Sequence, residues 1–322
     1  MKILLTGALG FIGSNFVKKL LDGSVFIGNF SKITIIDAKT YAANLENLRT
    51  VLNDPRLEII IGDISNLDIV NSVTFGKNLV INFAAESHVD RSILGPKKFI
   101  DSNLIGVYNL LEALKKNSYE KLIHISTDEV YGSIETGYAN EKSPLSPNSP
   151  YSASKASADL LINSYFKTFG TPVIITRCSN NYGPYQNIEK FLPRMITNLI
   201  DKKTIPIYGS GLNIRDWIHV DDHCKGIAYA VNSGEIGEIY NIAGNYSLTN
   251  LELANIVLSK MKLDHRFIEF VPDRLGHDFR YSISGEKILT LGFKPDVDFD
   301  TGISRTIEWY LRNQTWWRTT SI

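Results

Sequence analysis

Tyr151 and Lys155 stand four residues apart in a segment of helical period, a spacing that puts both side chains on one face. A phenol ionises at about pH 10 in isolation, and a neighbouring ammonium favours the phenolate. A phenolate near neutrality can take a proton from a hydroxyl while a hydride leaves the same carbon. Upstream, at the end of an apolar run, Ser126-Thr127-Asp128-Glu129 sets two carboxyls side by side. Adjacent acids can serve as general acid and general base if their surroundings push the two pKa values apart. Two acids can also simply begin a loop; with Thr127 and Tyr151 beside them, chemistry is the stronger reading.

A hydride needs an acceptor, and the N-terminus supplies a place for one. Gly7-Ala8-Leu9-Gly10-Phe11-Ile12-Gly13 follows the first strand-like run and opens a helical segment. Glycines there permit a tight turn and close backbone approach, while the helix N-terminus directs N–H groups at a pyrophosphate. Asp37 ends the second run, where a carboxylate accepts from ribose hydroxyls and repels a 2′-phosphate, so NAD is expected rather than NADP. Thr40 follows in the same turn. Asp63 and Ile64 after the third run are expected at the adenine edge, and Ala84-Ala85 after the fourth against the cofactor. Ser87 and Asn181, with Tyr151 and Lys155, complete the expected cofactor contacts.

These residues need a frame. Strand-like runs occur at 2–6, 32–37, 57–61, 79–84, 121–126 and 173–177, with helix-period segments at 13–21, 67–73, 99–117 and 152–169 between them. Apolar strands alternating with helices imply a parallel sheet covered on both faces, here a Rossmann-type, doubly wound α/β sheet. The proline-bearing stretch 132–150 reads as a long loop. Beyond Asn180 the rhythm loosens into helical 189–201, 221–232 and 248–261 and a short strand at 205–208. The expected division is an NAD-binding domain, 1–178, and a smaller C-terminal α/β substrate-binding domain, 179–322, with residues of about 216–245 returning to the first.

At 322 residues, 43% hydrophobic and 21% charged, the chain is expected to pack as a soluble protein of about two domains. Thirty-four basic residues balance thirty-four acidic ones, which removes bulk charge as a reason to expect nucleic acid or an anionic membrane as partner. The run Ile3–Thr6 is too short for a signal-peptide core or a membrane span, and two cysteines, Cys178 and Cys224, make no disulfide framework. A cytoplasmic location is expected. His219, Asp221, Asp222, His223 and Cys224 hold metal-ligand side chains, but Asp221 reads as the N-cap of a helix and no metal is expected. Cys178 and His124 lie within strands and are expected to be core.

Together the glycine motif, Ser126-Thr127 and Tyr151-Ser152-Ala153-Ser154-Lys155 resemble the extended short-chain dehydrogenase/reductase superfamily. Within it, Ala84-Ala85-Glu86-Ser87-His88-Val89-Asp90-Arg91-Ser92, Ser126-Thr127-Asp128-Glu129-Val130-Tyr131-Gly132 and Asn180-Asn181-Tyr182-Gly183-Pro184 resemble the dTDP-glucose 4,6-dehydratase family. That resemblance runs over essentially the whole chain. It implies transient oxidation of a hexose at C4, loss of water across C5 and C6, and return of the hydride to C6. Glu129 is then the base, Asp128 the acid, and Thr127 steadies the 4-oxygen. A nucleotide-sugar 4-epimerase shares Tyr151, Lys155 and the cofactor but needs no acid pair for dehydration. A non-catalytic NAD-responsive regulator needs no proton abstractor at all.

A nucleotide sugar carries a diphosphate, and guanidinium forks suit its oxygens. Lys190, Arg215 and Arg274 are the expected donors, with Ser87, Thr127, Asn180, Asn250, His277 and Tyr281 as further contacts. Pro206 and Tyr208 are expected against the base, Tyr208 offering a stacking face. Helices 99–117 and 152–169 are candidates for a homodimer interface, as the superfamily resemblance implies.

Overall fold

The structure, a computed structural model, describes residues 1–117 and 119–319. Its strands are β1 (Lys2–Thr6), β2 (Lys32–Asp37), β3 (Leu57–Ile61), β4 (Leu79–Asn82), β5 (Lys121–Thr127), β6 (Val173–Cys178), β7 (Asn180–Tyr182), β8 (Ile205–Tyr208), β9 (Ile214–His219), β10 (Ile239–Ile242), β11 (Ser247–Thr249) and β12 (Ile268–Val271). Its helices are α1 (Phe11–Leu21), α2 (Leu67–Thr74), α3 (Val89–Leu94), α4 (Lys97–Ile100), α5 (Gly106–Lys115), α6 (Pro150–Phe169), α7 (Phe191–Ile200), α8 (Val220–Ser233), α9 (Asn250–Lys260), α10 (Glu286–Leu289), α11 (Phe299–Arg312) and α12 (Gln314–Thr319).

Seven strands form one sheet in the order β10-β6-β5-β4-β1-β2-β3, every pairing parallel. Parallel strands alternate their apolar side chains to both faces, so both must be covered. Ile3, Leu5, Ile33 and Ile35 pack with Phe16 and Val17 of α1 and Ile227 and Val231 of α8. Leu4, Ile36, Val80 and Leu122 pack on the other face with Val70 of α2, Leu110 of α5 and Ile162 of α6. The order reverses between β1 and β4, and ligands of doubly wound sheets bind at the carboxyl ends of the strands at such a point.

Beyond β6 the chain builds a second core around Tyr182, Leu192, Trp217, Leu253, Ile303 and Tyr310. A three-stranded sheet, β11-β9-β7, and the parallel pair β12-β8 belong to this part, while α8 and β10 lie with the central sheet. Tyr310 and Trp317 are buried there as packing residues. The long 132–150 loop is pinned to the C-terminal part through Asn148 Nδ2, which donates to Asp278 Oδ1 at 2.6 Å, and an Ala139–Ile283 bridge.

Three local expectations are corrected. The strand expected through Ala84 ends at Asn82, because the Ala84 N–H bonds the Thr6 hydroxyl (3.2 Å) instead of a strand carbonyl. The helix expected across 99–117 is interrupted by a π-helical turn, Asp101–Ile105, between α4 and α5. Within that turn Asn103 is buried and clasps Glu86, accepting from its N–H (2.8 Å) and donating to its carbonyl (3.0 Å). The N-cap of α8 is His219 rather than Asp221: His219 Nδ1 accepts from the Asp221 N–H at 3.2 Å, and the Asp221 carboxylate pairs with Lys19 at 2.9 Å.

Candidate active site

The glycine turn after β1 has one strained position. Gly7 has φ of +66°, and a Cβ on it would stand 2.5 Å from the Ala84 Cα, so β1 and the end of β4 touch backbone to backbone. The helix that follows, α1, has Gly10 as N-cap, no side-chain cap and no acidic residue in its first turn. Its first N–H groups are therefore free for an anion. In front of them opens a cleft of about 1480 Å³ lined by Gly7, Gly10, Phe11, Ile12, Gly13, Asp37, Thr40, Ala84, Ala85, Ser87, Tyr151, Lys155 and Asn181. Asp37 is buried; its Oδ2 accepts from the Leu9 N–H (2.9 Å) and its Oδ1 from the Lys39 N–H (2.8 Å), which leaves each oxygen a lone pair for a ribose hydroxyl. Burial pushes its pKa up and these two amides pull it down. A cradle that a Cβ would fill, a bare helix N-terminus and an acid at the strand end fit a dinucleotide.

The acid pair sits at the far wall. β5 ends at Thr127, and a single 3-10 turn, Asp128–Tyr131, follows. Thr127 caps that turn: its hydroxyl oxygen accepts from the Glu129 N–H (3.3 Å) while its hydrogen points to Asp128 Oδ1 (3.2 Å). Asp128 is buried, and its Oδ2 has no hydrogen-bond partner among the described residues. Burial raises its pKa well above the ordinary carboxylate range, and Glu129 and Asp216 add to the rise. Glu129 lines the cleft. Burial raises its pKa as well, but Arg274, Lys190 and Arg215 all pull it back. The neighbouring carboxyls are thus electrically unlike.

Tyr151 and Lys155 come from the first two turns of α6. That helix starts sharply because Ser149 and Ser152 form a capping box and Pro150 occupies the first turn. Ser154 donates to the Tyr151 carbonyl (2.7 Å) and accepts from Asn103 (2.8 Å), tying the tyrosine turn to the π-helical turn. Lys155 Nζ donates to the Ile125 carbonyl (2.7 Å) and contacts His124 Nε2 (3.2 Å). Burial drives its pKa down to about 8. The expectation that this ammonium depresses the Tyr151 pKa is corrected. Burial, followed by the charge of Glu129, holds the phenol well above its ordinary value, with a Thr127 hydrogen bond opposing.

A second cavity, about 960 Å³, adjoins the first and shares His88, Glu129, Asn180, Asn181, Gln186 and Lys190 with it. Pro206, Tyr208, Arg215, Asn250, Arg274, His277 and Tyr281 line it. Lys190 Nζ donates to the Ser87 carbonyl at the junction. Arg274 lies 3.6 Å from Asp90, and the Tyr208 hydroxyl donates to the same carboxylate (3.2 Å). Three cations and an open apolar wall suit a diphosphate carrying a base, and the join between the cavities brings its sugar to Glu129.

Residues 4–306 match the family described as GDP-mannose 4,6 dehydratase. The dTDP-glucose 4,6-dehydratase of an Actinoplanes species is 47% identical over 98% of this chain and 100% of its own. That of Streptomyces niveus is 45% identical over 98% of this chain and 95% of its own. The crystal structure of DesIV, the dTDP-glucose 4,6-dehydratase of Streptomyces venezuelae, with NAD and TYD bound, superposes with a TM-score of 0.98 at 47% identity, covering 99% of this chain and 100% of that one. The chain belongs to the dTDP-glucose 4,6-dehydratase family.

In this member of the dTDP-glucose 4,6-dehydratase family the structure gathers nearly every site residue expected from sequence into the two joined cavities. Asp63 and Ile64 are outside the cleft lining. Asp63 Oδ1 accepts from the Ser65 N–H (2.8 Å), and Ile64 is buried. Arg215 lines its cavity but is already engaged, donating to the backbone carbonyls of Ile214 (2.7 Å) and Asp278 (2.9 Å). His219 and His223 do not converge on a metal: His223 Nδ1 meets Asn181 Oδ1 at 2.8 Å, steadying a cleft residue. Cys178 is buried, its thiol pushed up to about 12. Sequence reasoning missed Asn103, which carries no motif, and Tyr41, whose signal was its place just after the β2 acid. Tyr41 lines the cleft under Arg91, whose guanidinium lies 4.0 Å above the ring and pairs with Glu189. Among the described residues no helix is long and apolar enough to cross a membrane.

Proposed function

We propose that the protein is a hydro-lyase that converts dTDP-glucose to dTDP-4-dehydro-6-deoxy-D-glucose, with NAD as resident cofactor. One observation carries this reading: the adjacent carboxyls of Asp128 and Glu129, both buried beside Tyr151, have unlike neighbours, acids outnumbering the one cation at Asp128 and three cations facing Glu129. An epimerase has no use for such a division.

NAD, when bound by Gly7, Gly10, Gly13 and Asp37, supplies the acceptor that takes hydride from C4 and returns it to C6, and a positive ring that favours an ionised Tyr151. Tyr151 takes the 4-hydroxyl proton, with Thr127 beside the same oxygen. Oxidation at C4 acidifies the C5 proton, and Glu129, whose anionic form Arg274, Lys190 and Arg215 favour against its burial, removes it. Asp128, neutral through burial and its two acidic neighbours, gives its proton to the departing 6-hydroxyl, and water leaves. A proton then returns to C5, and no net oxidation remains. Lys190, Arg215 and Arg274 hold the diphosphate, Asn180, Asn250, His277 and Tyr281 its sugars, and Pro206 and Tyr208 the base.

Two coarser features belong to the same reading. Ile100, Ile105, Tyr108 and Leu160 expose apolar surface on the 97–115 segment and α6, which supports a homodimer through those helices. Two buried, unpaired thiols, Cys178 and Cys224, support a cytoplasmic location. Sedimentation velocity tests the dimer.

The reaction is tested by incubating the protein with dTDP-glucose in deuterated water and identifying the product by NMR and mass. A 4-keto-6-deoxy sugar with deuterium at C5 is expected. A galactose product would assign an epimerase instead, and no turnover of any nucleotide sugar would leave an NAD-responsive regulator.

A further inference from the structure

Two stretches of chain face each other across the front of the glycine turn. β1 lies between β2 and β4 in the sheet, so the segments leaving those two strands, 38–44 and 83–88, form opposite banks of the cofactor cleft. The 38–44 segment contains no helix or strand. Its backbone bonds run from the Lys39 N–H to Asp37 Oδ1 (2.8 Å), from the Ala43 N–H to the Thr40 carbonyl (3.0 Å) and from the Asn44 N–H to the Leu9 carbonyl (3.1 Å). None of these reaches the far bank. Two side chains do: Thr40 hydrogen-bonds the Glu86 carboxylate, and Tyr41 hydrogen-bonds Ser87. Burial, with the charges of Glu86 and Glu189, pushes the Tyr41 phenol up to about 12, so it spans the mouth of the cleft as a neutral ring.

Arg91 on α3 holds this ring from outside. Its guanidinium carbon lies 4.0 Å from the Tyr41 ring centroid. Its Nε donates to Glu189 Oε2 (2.9 Å) and its Nη2 to Oε1, a bidentate fork. Glu189 is itself fixed. Its N–H donates to Asn187 Oδ1 (2.8 Å), and its carbonyl meets His88 Nε2 at 3.4 Å. The next residue, Lys190, donates from Nζ to the Ser87 carbonyl, so Ser87 is joined both to Tyr41 and to this segment. The Tyr310 hydroxyl donates to the Gln186 carbonyl and anchors the segment in the second core. Arg91 lines neither cavity, so its charge is spent on Glu189 and Tyr41 rather than on a phosphate.

We propose that Arg91 is a positioning residue: gripped by Glu189, it holds the Tyr41 ring across the cleft and so keeps NAD from leaving between turnovers. Opening the cleft requires the guanidinium to leave the ring and Tyr41 to leave Ser87. Both contacts join the 38–44 segment to parts of the chain far along the sequence, so the segment cannot swing out by rearranging within itself. A hydride that is taken and returned within one cycle gives NAD no reason to exchange, and a closed cleft then does not hinder turnover. The inference rests on the proposed reaction for that purpose, but its measurement needs no turnover.

The measurement is exchange of bound NAD. Holoenzyme is mixed with excess radiolabelled NAD, and the label that stays with the protein through rapid gel filtration is followed in time. Arg91→Ala should exchange about tenfold faster than wild type, the combined value of an exposed ion pair and a cation–π contact. Glu189→Gln leaves the cation over the ring without its fork and should exchange about threefold faster. The double variant should match Arg91→Ala, because Glu189 acts through the guanidinium. Tyr41→Ala should exchange at least as fast as Arg91→Ala. With NAD and dTDP-glucose saturating, kcat of Arg91→Ala should stay within about twofold of wild type. A wild-type exchange rate in Arg91→Ala would overturn the proposal. Additive acceleration in the double variant would overturn it too, since it would mean general loosening rather than one catch. If wild-type protein turns over no dTDP-glucose, the dehydratase reading fails while the exchange rates still decide this one.

Discussion

Asp128 lies buried beside Glu129, its Oδ1 in contact with Thr127 at 3.2 Å and its Oδ2 bonded to no described residue. Because its pKa is raised on folding, the folded protein binds a proton there that the unfolded chain releases as pH rises above the ordinary aspartate range. The sign follows. Any contribution to stability is fully present below the unfolded pKa and is lost as pH climbs towards the folded one. Asp128→Asn removes this penalty while keeping size. The variant should match wild type in stability below about pH 4 and exceed it increasingly towards neutrality, by about 1.4 kcal/mol per unit of displacement. Turnover should fall about 10²- to 10⁴-fold, the value of a general acid. Thermal unfolding across pH, read beside activity, checks both. A variant no more stable at pH 7 than wild type would mean that Asp128 is ionised in the fold.

Glu129 is the complementary case. Gln keeps its shape and loses its basicity, so Glu129→Gln should allow C4 oxidation but slow water loss about 10²- to 10⁴-fold. Mixing the variant with dTDP-glucose should raise the near-ultraviolet absorbance of reduced nicotinamide and hold it there, whereas wild type shows only a transient. Wild-type rates in the variant would take Glu129 out of the mechanism.

How much of this was open to reading depended on whether the cause was local. The strands β1, β2 and β3 are legible because short β-branched runs end in Gly or Asp, and the glycine turn because it must follow β1. Arg215 shows the limit. Its place in a basic cavity could be inferred from residue type, but its hydrogen bond to the Asp278 carbonyl comes from a chain crossing made by a residue 63 positions away. The Tyr151 expectation failed for the same reason: sequence shows Lys155 one turn along, not the burial that outweighs it. Asp221 was read as a cap on general preference, whereas the strand β9 runs on to His219 and leaves that ring in the capping position.

Gly7 provides a test of the cofactor cleft that does not depend on turnover. With φ at +66° and a Cβ only 2.5 Å from the Ala84 Cα, Gly7→Ala must open β1 from the end of β4. Strain of this kind costs about 1–3 kcal/mol. Loss of bound NAD, measured by absorbance of the purified protein, is expected together with a lower Tm. Full NAD content in Gly7→Ala would show that the turn has more room than its geometry allows.

The ion pair of Arg177 and Asp159 predicts where stability is concentrated. Arg177 Nε donates to Asp159 Oδ2 (2.8 Å) and its Nη1 to the Tyr131 hydroxyl (2.7 Å), which donates onward to Asn241 (2.9 Å), so one guanidinium ties β6 and α6 to the Asp128–Tyr131 turn and β10. Both members of the pair are at most 3% exposed. Asp159→Asn leaves a buried cation without its counter-charge and should cost about 3–5 kcal/mol. The Lys97–Asp101 pair is the contrast, with side chains 85% and 42% exposed; Asp101→Asn should change stability by less than about 0.5 kcal/mol. Urea unfolding of the two variants measures both numbers. A loss at Asp159 as small as that at Asp101 would mean that Arg177 finds water or another acceptor once its partner is gone. The turn carrying Asp128 and Glu129 would then be held by Thr127 and the backbone rather than by the guanidinium beneath it.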